Sequence, residues 1–156
     1  MKTADICDKH DHVEVLEPQF ADYGAVTEFH GQAVTIRAFE DNSLVREAVA
    51  EPGEGKVLVV DGGASMRRAM LGGNLAIKAE QNGWAGIIIN GCVRDSHELI
   101  ETDIGIKALG SAPRRTEKNN EGERDVIIGI GGVKIAPGDW VYADDDGIVV
   151  SRTKAH

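Results

Sequence analysis

Arg94 and Asp95 stand side by side where an apolar run ends. Ala85-Gly86-Ile87-Ile88-Ile89 gives way to Asn90-Gly91, and the charged pair follows just before Ser96. A guanidinium presents a planar fork of donors that matches a carboxylate or a keto oxygen. A neighbouring carboxylate can hold a divalent cation with water in the remaining positions. An oxygen-only site of that kind suits Mg2+ or Mn2+ and not Zn2+. Upstream, Leu71-Gly72-Gly73-Asn74-Leu75 is a glycine-rich approach to a helix start. Unpaired backbone N–H groups there form a cradle for a carboxylate. The parts combine into one expected site for a small 2-keto acid. Gly72, Gly73, Asn74, Leu75 and Arg94 bind the substrate, and Asp95 binds the metal. A cation beside the keto group would stabilise the enolate formed when an adjacent C–C bond breaks. By itself the pair also reads as a helix cap with a surface ion pair, and Gly72-Gly73 as a tight turn.

The other reactive side chains carry plainer readings. Cys92 reads as a small core residue, since free cysteine packs like a hydrophobe. Asp61, after Val57-Leu58-Val59-Val60, reads as an acid tying down its own turn, with a supporting role in the site as the alternative. Arg67-Arg68 reads as a solvated face. Asp144-Asp145-Asp146 lacks the spacing of a calcium loop and reads as a solvated turn. His97 reads as structural. The remaining histidines, His10, His12, His30 and His156, show no metal or triad spacing, and no nucleophile–base pair stands out.

The elements that must position the pair follow from periodicity. Residues 3–10 suit a short helix. Residues 31–39 alternate as a strand, and Asp41 or Ser43 can cap a helix through Ala50. Residues 56–60 form an apolar strand, 74–82 a helix with Gly83 past its end, and 85–89 a second apolar strand. Asp95 or Ser96 caps a short helix through Ile100, and 104–109 is another strand. This middle section is a series of parallel βαβ units. Ligands gather at the carboxyl ends of such strands, where Asp61 and Asn90 to Asp95 lie. The tail changes character. Residues 114–125 are a polar loop, and short strands at 126–130, 133–135, 140–142 and 148–150 suggest an antiparallel meander.

The chain of 156 residues suits one domain, 1–156, with one sizeable core. The formal charge of −9, from 26 acids against 17 bases, excludes a direct nucleic-acid binder but allows docking to a basic protein. No apolar run approaches the roughly 20 residues of a membrane span. The N-terminus lacks an apolar signal region. Two cysteines, outside any CxxC pair, fit a reducing compartment. A soluble cytoplasmic protein is expected.

Several blocks together resemble a known family. VLVVDGG (57–63), LGGNLA (71–76), NGWAGIIINGCVRD (82–95), DIGIKALG (103–110) and GGVKIAPGDWVYADDDGIVV (131–150) are similar to the RraA-like family. That family includes regulators of ribonuclease E activity and class II 4-hydroxy-4-methyl-2-oxoglutarate aldolases. The resemblance implies an α/β fold, a single-domain β/β/α swivelling-type sandwich with central βαβ units and a β-rich C-terminal part. It implies a ring-shaped homotrimer with clefts between subunits. It also implies cleavage of 4-hydroxy-4-methyl-2-oxoglutarate to pyruvate with oxaloacetate decarboxylation alongside. The family's substrate arginine falls on Arg94, its metal-binding acid on Asp95, and its pyruvate-binding amides on Gly72 to Leu75. A non-catalytic inhibitor of ribonuclease E, or a partner of its associated helicase, is the alternative. One departure stands out. The aldolase pattern is an acid, twenty residues, then Arg-Asp, and the acid's place is taken by Gly73. Asp61 or a neighbouring subunit is the expected replacement, and Gly73→Asp is expected to raise turnover.

Overall fold

The continuous apolar runs become strands buried on both faces. A computed structural model describes all 156 residues. The chain begins with α1 (Thr3–Lys9), β1 (Glu14–Val15), β2 (Ala21–Asp22), β3 (Phe29–Arg37), α2 (Ser43–Val49) and β4 (Val57–Asp61). It continues through β5 (Ala69–Leu71), α3 (Gly73–Gln81), β6 (Gly86–Val93), α4 (Ser96–Leu99) and β7 (Gly105–Ser111). The tail holds β8 (Glu123–Arg124), β9 (Ile128–Ile130), β10 (Val133–Ile135), β11 (Trp140–Asp144) and β12 (Gly147–Ser151). The main sheet has the order β1-β12-β11-β3-β4-β6-β7-β2, with β5 on the far end of β6 and β8 on β3. Its centre, β3-β4-β6-β7, is parallel, as the alternation of strands and helices predicts.

Successive side chains of a strand point to opposite faces. Leu58 and Val60 of β4, with Ile87 and Ile89 of β6, therefore meet Val45, Ala48 and Val49 of α2 and Ala76 and Ala79 of α3. Val57, Val59 and Ile88 point the other way. They pack with Ile128, Ile130, Val133 and Ile135 of the β9–β10 hairpin and with Val141 and Ile148. The result is three layers, hairpin on sheet on helices. A parallel sheet covered on both sides needs apolar residues at every position, not every second one. α3 ends as its sequence requires. Gly83 adopts φ +81, its N–H donates to Glu80, and Trp84 N–H donates to Ala79. These two bonds satisfy carbonyls that the last helical turn leaves open.

Three expectations change. β6 does not stop at Ile89. It runs to Val93 through a register irregularity between Ile89 and Cys92. The tail is not one meander. β9 and β10 pair only with each other, while β11 and β12 join the main sheet beside β3, because their inward faces complete the second core. Asp144 is not a solvated turn residue. It is 4% exposed and accepts hydrogen bonds from the N–H and Oγ1 of Thr3, which fastens α1 to the sheet.

Candidate active site

β5 and β6 end side by side, and their ends carry the two motifs. Arg94 N–H donates to Leu71 O at 2.9 Å, so the Arg-Asp pair lies directly against the start of α3. Asp95 takes a left-handed backbone, φ 60 and ψ 43. That turn points its carboxylate away from α4, which it does not cap. Asp95 Oδ2 instead accepts the N–H of Gly73 at 2.9 Å. The expected cap of α4 is thus replaced by a bond to α3. A carboxylate is favourable here because a helix start carries partial positive charge. A Cβ at Gly72 would lie 2.8 Å from Asp95 Oδ2 and 3.3 Å from Arg94 Nε, so the pair approaches only over glycine.

Gly72, Gly73, Asn74, Leu75, Arg94 and Asp95 all line one cavity of about 340 Å³. The structure therefore brings together every predicted site residue. Within α3 the first intrahelical bond reaches Gly72 O from Ala76 N–H. The N–H groups of Asn74 and Leu75 precede it and have no helical acceptor. The predicted four-residue amide cradle is in fact narrower, since Gly73 is already bound to Asp95.

Two residues change the picture of the missing acid. Asp61 is not the replacement. Its Oδ1 accepts Gly63 N–H at 2.9 Å and Asn90 Nδ2 at 3.0 Å, which ties the end of β4 to the middle of β6 outside the cavity lining. Glu98, the third residue of α4, is the carboxylate that reaches position 73; it stands just outside the cavity lining, against Gly73, which does line it. Its Oε2 occupies the space that a side chain at Gly73 would enter, and its Cδ lies 3.1 Å from that Cβ position. The glycine and the glutamate are complementary: the first has no side chain because the second fills the place.

Four further basic residues of the lining were not anticipated. Arg46 of α2, Lys78 of α3, and Arg115 and Lys118 of the polar loop line the same cavity. That loop is strapped down. Buried Asp41 accepts N–H bonds from Ser43 at 2.9 Å and Asn119 at 2.7 Å, with a longer one from Glu121. Burial opposes the charge on Asp41, but these donors together hold its carboxyl below the usual carboxylate range. Thr116 Oγ1 donates to Asn42 Oδ1 at 2.9 Å, and Asn42 Nδ2 donates to Met70 O at 3.2 Å.

The remaining candidates keep structural roles. Arg67 lies on an exposed face, as expected, and pairs there with Glu40 at 2.8 Å, while partly buried Arg68 donates to Arg115 O at 3.0 Å. Cys92 is fully buried, and burial pushes its thiol up. His97 is exposed and does not line the cavity.

Asp95 uses Oδ2 for Gly73 and leaves Oδ1 without a protein donor. No cluster of three His, Cys, Asp or Glu side chains forms a complete ligand shell. One free carboxylate oxygen fits Mg2+ or Mn2+, which keep several waters and draw further oxygens from substrate. It does not fit a tetrahedral zinc site.

Fold and site define an α/β protein with a mostly basic cavity, lined by one carboxylate, at the ends of parallel strands. The chain belongs to the RraA-like family, described as Aldolase/RraA, which matches residues 3–150. A protein of Alkalilimnicola ehrlichii, provisionally named 4-hydroxy-4-methyl-2-oxoglutarate aldolase, is 55% identical over 151 residues, covering 96% of this chain and 94% of its own. The RNA-processing inhibitor RraA from Thermus thermophilis superposes with a TM-score of 0.98 at 42% identity, over 100% of this chain and 95% of its own. A Geobacillus kaustophilus structure named as an S-adenosylmethionine:2-dimethylmenaquinone methyltransferase superposes at 0.97 and 48% identity, over 99% and 96%. No helix is long and apolar enough to cross a membrane.

Proposed function

We propose that the protein is a divalent-metal-dependent lyase that splits 4-hydroxy-4-methyl-2-oxoglutarate into two pyruvates and decarboxylates oxaloacetate at the same site. The observation that carries the reading is the convergence of Arg94, Asp95 and the free amides of Asn74 and Leu75 on one cavity beside Glu98. The name of the Alkalilimnicola relative supports the substrate.

The amides of Asn74 and Leu75 take the C1 carboxylate, and Arg94 donates to the C2 keto oxygen. Asp95 would hold Mg2+ or Mn2+ through Oδ1, and the ion would supply positive charge against the negative charge developing at C2. Glu98 accepts the proton of the C4 hydroxyl. The O–H electrons become the new C4 carbonyl as the C3–C4 bond breaks, and its pair passes into the C2–C3 enolate. Protonation at C3 then gives the second pyruvate. Oxaloacetate loses CO2 from C4 to the same enolate and has no hydroxyl proton to surrender.

A methyl transfer from S-adenosylmethionine is disfavoured by charge. The cavity sets five basic side chains against one acid, and a sulfonium is itself cationic. Purified protein with Mg2+ or Mn2+ is expected to release pyruvate from either substrate above the metal-only rate. No excess with both metals and both substrates overturns the lyase.

The likeness to the Thermus inhibitor favours a second reading, in which the acidic protein docks on a basic segment of ribonuclease E or its helicase. Co-purification and slowed RNA cleavage are expected, and the loss of both removes it. The protein is further proposed to work as a homotrimer in the cytoplasm. Phe39, Met66 and Ile127, exposed by 60%, 55% and 60%, support coverage by another copy. Light scattering is expected to give about 50 kDa, three times 16.7 kDa; a monomer overturns the assembly.

A further inference from the structure

We propose that Asn42 is a positioning residue for the lyase. Its buried side-chain amide fixes β5, the start of α2 and the loop after Arg114 against one another, and so sets how tightly the cavity holds its keto acid. The inference takes the ligand from the lyase reading and adds what keeps the binding walls in register.

The first observation is a helix cap that is given up. Asn42 occupies the N-cap of α2, where an asparagine ordinarily accepts an N–H of the first turn. Here its side chain makes no such bond. Neighbouring Asp41 takes the Ser43 N–H instead, at 2.9 Å. The Asn42 amide is thereby free to turn inward, and the residue is 7% exposed. A buried amide is costly without partners, so the bonds it makes constrain where those partners stand.

The second observation is what the amide reaches. Its Nδ2 donates to Met70 O at 3.2 Å, and its Oδ1 accepts from Thr116 Oγ1 at 2.9 Å. Thr116 Oγ1 in turn accepts the Asn42 N–H at 3.1 Å, which closes a ring of two bonds. The orientation of the amide is forced, since Met70 O can only accept. β5 is three residues long and pairs with one strand only, β6, so a bond on its other side counts. Met70 precedes Leu71, whose carbonyl takes the Arg94 N–H, and Gly72, where α3 starts. Thr116 follows Arg115, and the Arg46 N–H bonds Asn42 O. Gly72, Arg115, Arg46 and Asn42 itself all line the cavity, whereas Thr116 does not. One side chain therefore joins three segments that carry lining residues. Glu98, the proton acceptor, shares no hydrogen bond with this group.

The consequence is a split between binding and turnover. Displaced walls weaken the grip on the ligand, while a ligand that does bind still meets Glu98. Thr116→Val removes the hydroxyl from outside the lining at nearly constant volume. With 4-hydroxy-4-methyl-2-oxoglutarate and Mg2+, KM is expected to rise about tenfold and kcat to stay within about threefold. Thr116→Ser keeps the hydroxyl and should restore KM. Asn42→Ser keeps a cap-forming residue at the helix start but is too short to span both partners. It should repeat the rise, and it carries the test if the valine variant does not fold. Val133→Ala thins the second core on the other face of the sheet and should leave KM unchanged. Pyruvate affinity, read by isothermal titration calorimetry with Mg2+, should fall by the factor by which KM rises. Unchanged KM and affinity, a loss confined to kcat, no rescue by Thr116→Ser, or an equal change in Val133→Ala each overturn the positioning role. An unaltered protein that binds no pyruvate overturns it too. Pyruvate binding that weakens in these variants of a protein without turnover removes the lyase reading alone, and turnover with an unchanged KM removes this one alone.

Discussion

Replacing Gly73 by alanine separates stability from chemistry. Position 73 begins α3, and alanine is the better helix former there by up to about 1 kcal/mol. The new Cβ would meet Glu98 Oε2 at once and lie 3.3 Å from Glu98 Cβ. The Glu98 side chain is half exposed, so its carboxylate can swing into solvent. Global stability should therefore change by no more than about 1 kcal/mol in either direction. Catalysis should change much more. A displaced proton acceptor typically removes about 10²–10⁴-fold, and that loss should fall on aldol cleavage, which must strip a hydroxyl proton. Oxaloacetate decarboxylation needs no such step and should stay within about tenfold. Glu98→Gln should reproduce the same split. The assay couples pyruvate to lactate dehydrogenase for both substrates, with urea melts in parallel. Equal loss of both reactions, or full aldol turnover in Gly73→Ala, would refute the role given to Glu98. Gly73→Asp is a related probe. The place is already filled, so the added acid should restore at most part of what it displaces, contrary to the expectation from sequence.

Further outcomes follow from the same contacts. Asp95→Asn should abolish stimulation by Mg2+ or Mn2+ while costing about 1 kcal/mol of stability, because the amide oxygen still accepts from Gly73; retained stimulation would place the ion elsewhere. Asp41→Ala leaves buried backbone donors without an acceptor and should cost about 1–3 kcal/mol by urea denaturation, with loosened amide exchange at residues 116–121. Asp41 also sets an acid limit. Its folded carboxyl lies below the unfolded value of about 3.9, so its contribution is complete above that value and is lost as pH falls through the lower folded one. A pH–stability profile of Asp41→Asn should lack this loss. Exposed Cys7 should react rapidly with a thiol reagent and buried Cys92 only on unfolding; two fast equivalents would contradict the burial of Cys92.

Much of the site was legible because it sits where strands stop. The charged Arg94-Asp95 pair marks the mouth of a strand, later than the break after Ile89 suggests, and the glycine pair before Asn74 announces a helix start. The parallel centre was legible for a similar reason, since runs such as Val57 to Val60 only suit a sheet covered on both faces. Other parts depend on partners far away in the chain. Nothing near Asn90-Gly91 shows that β6 continues to Val93, because the continuation rests on pairing with β5 and β7. Glu98 looks like an ordinary residue of a short helix until it is seen above Gly73, 25 positions upstream. Arg46, Lys78, Arg115 and Lys118 come from separate segments, and only the strapped loop brings them to one opening. Asp144 shows the converse. A run of three aspartates suggests solvent, but its first member is buried by contacts with a helix almost a whole chain away.

The left-handed turn at Asp95 restricts how this position can drift. Aspartate, asparagine and glycine accept such a backbone readily, whereas most side chains pay for it. A descendant that abandons catalysis can therefore lose the charge through asparagine or glycine and keep its shape. Glutamate, the conservative choice by charge, is the poorer replacement, since it strains the turn and carries its carboxylate one methylene too far. Relatives with asparagine or glycine here would be the natural place to look for copies retired from chemistry and kept for binding.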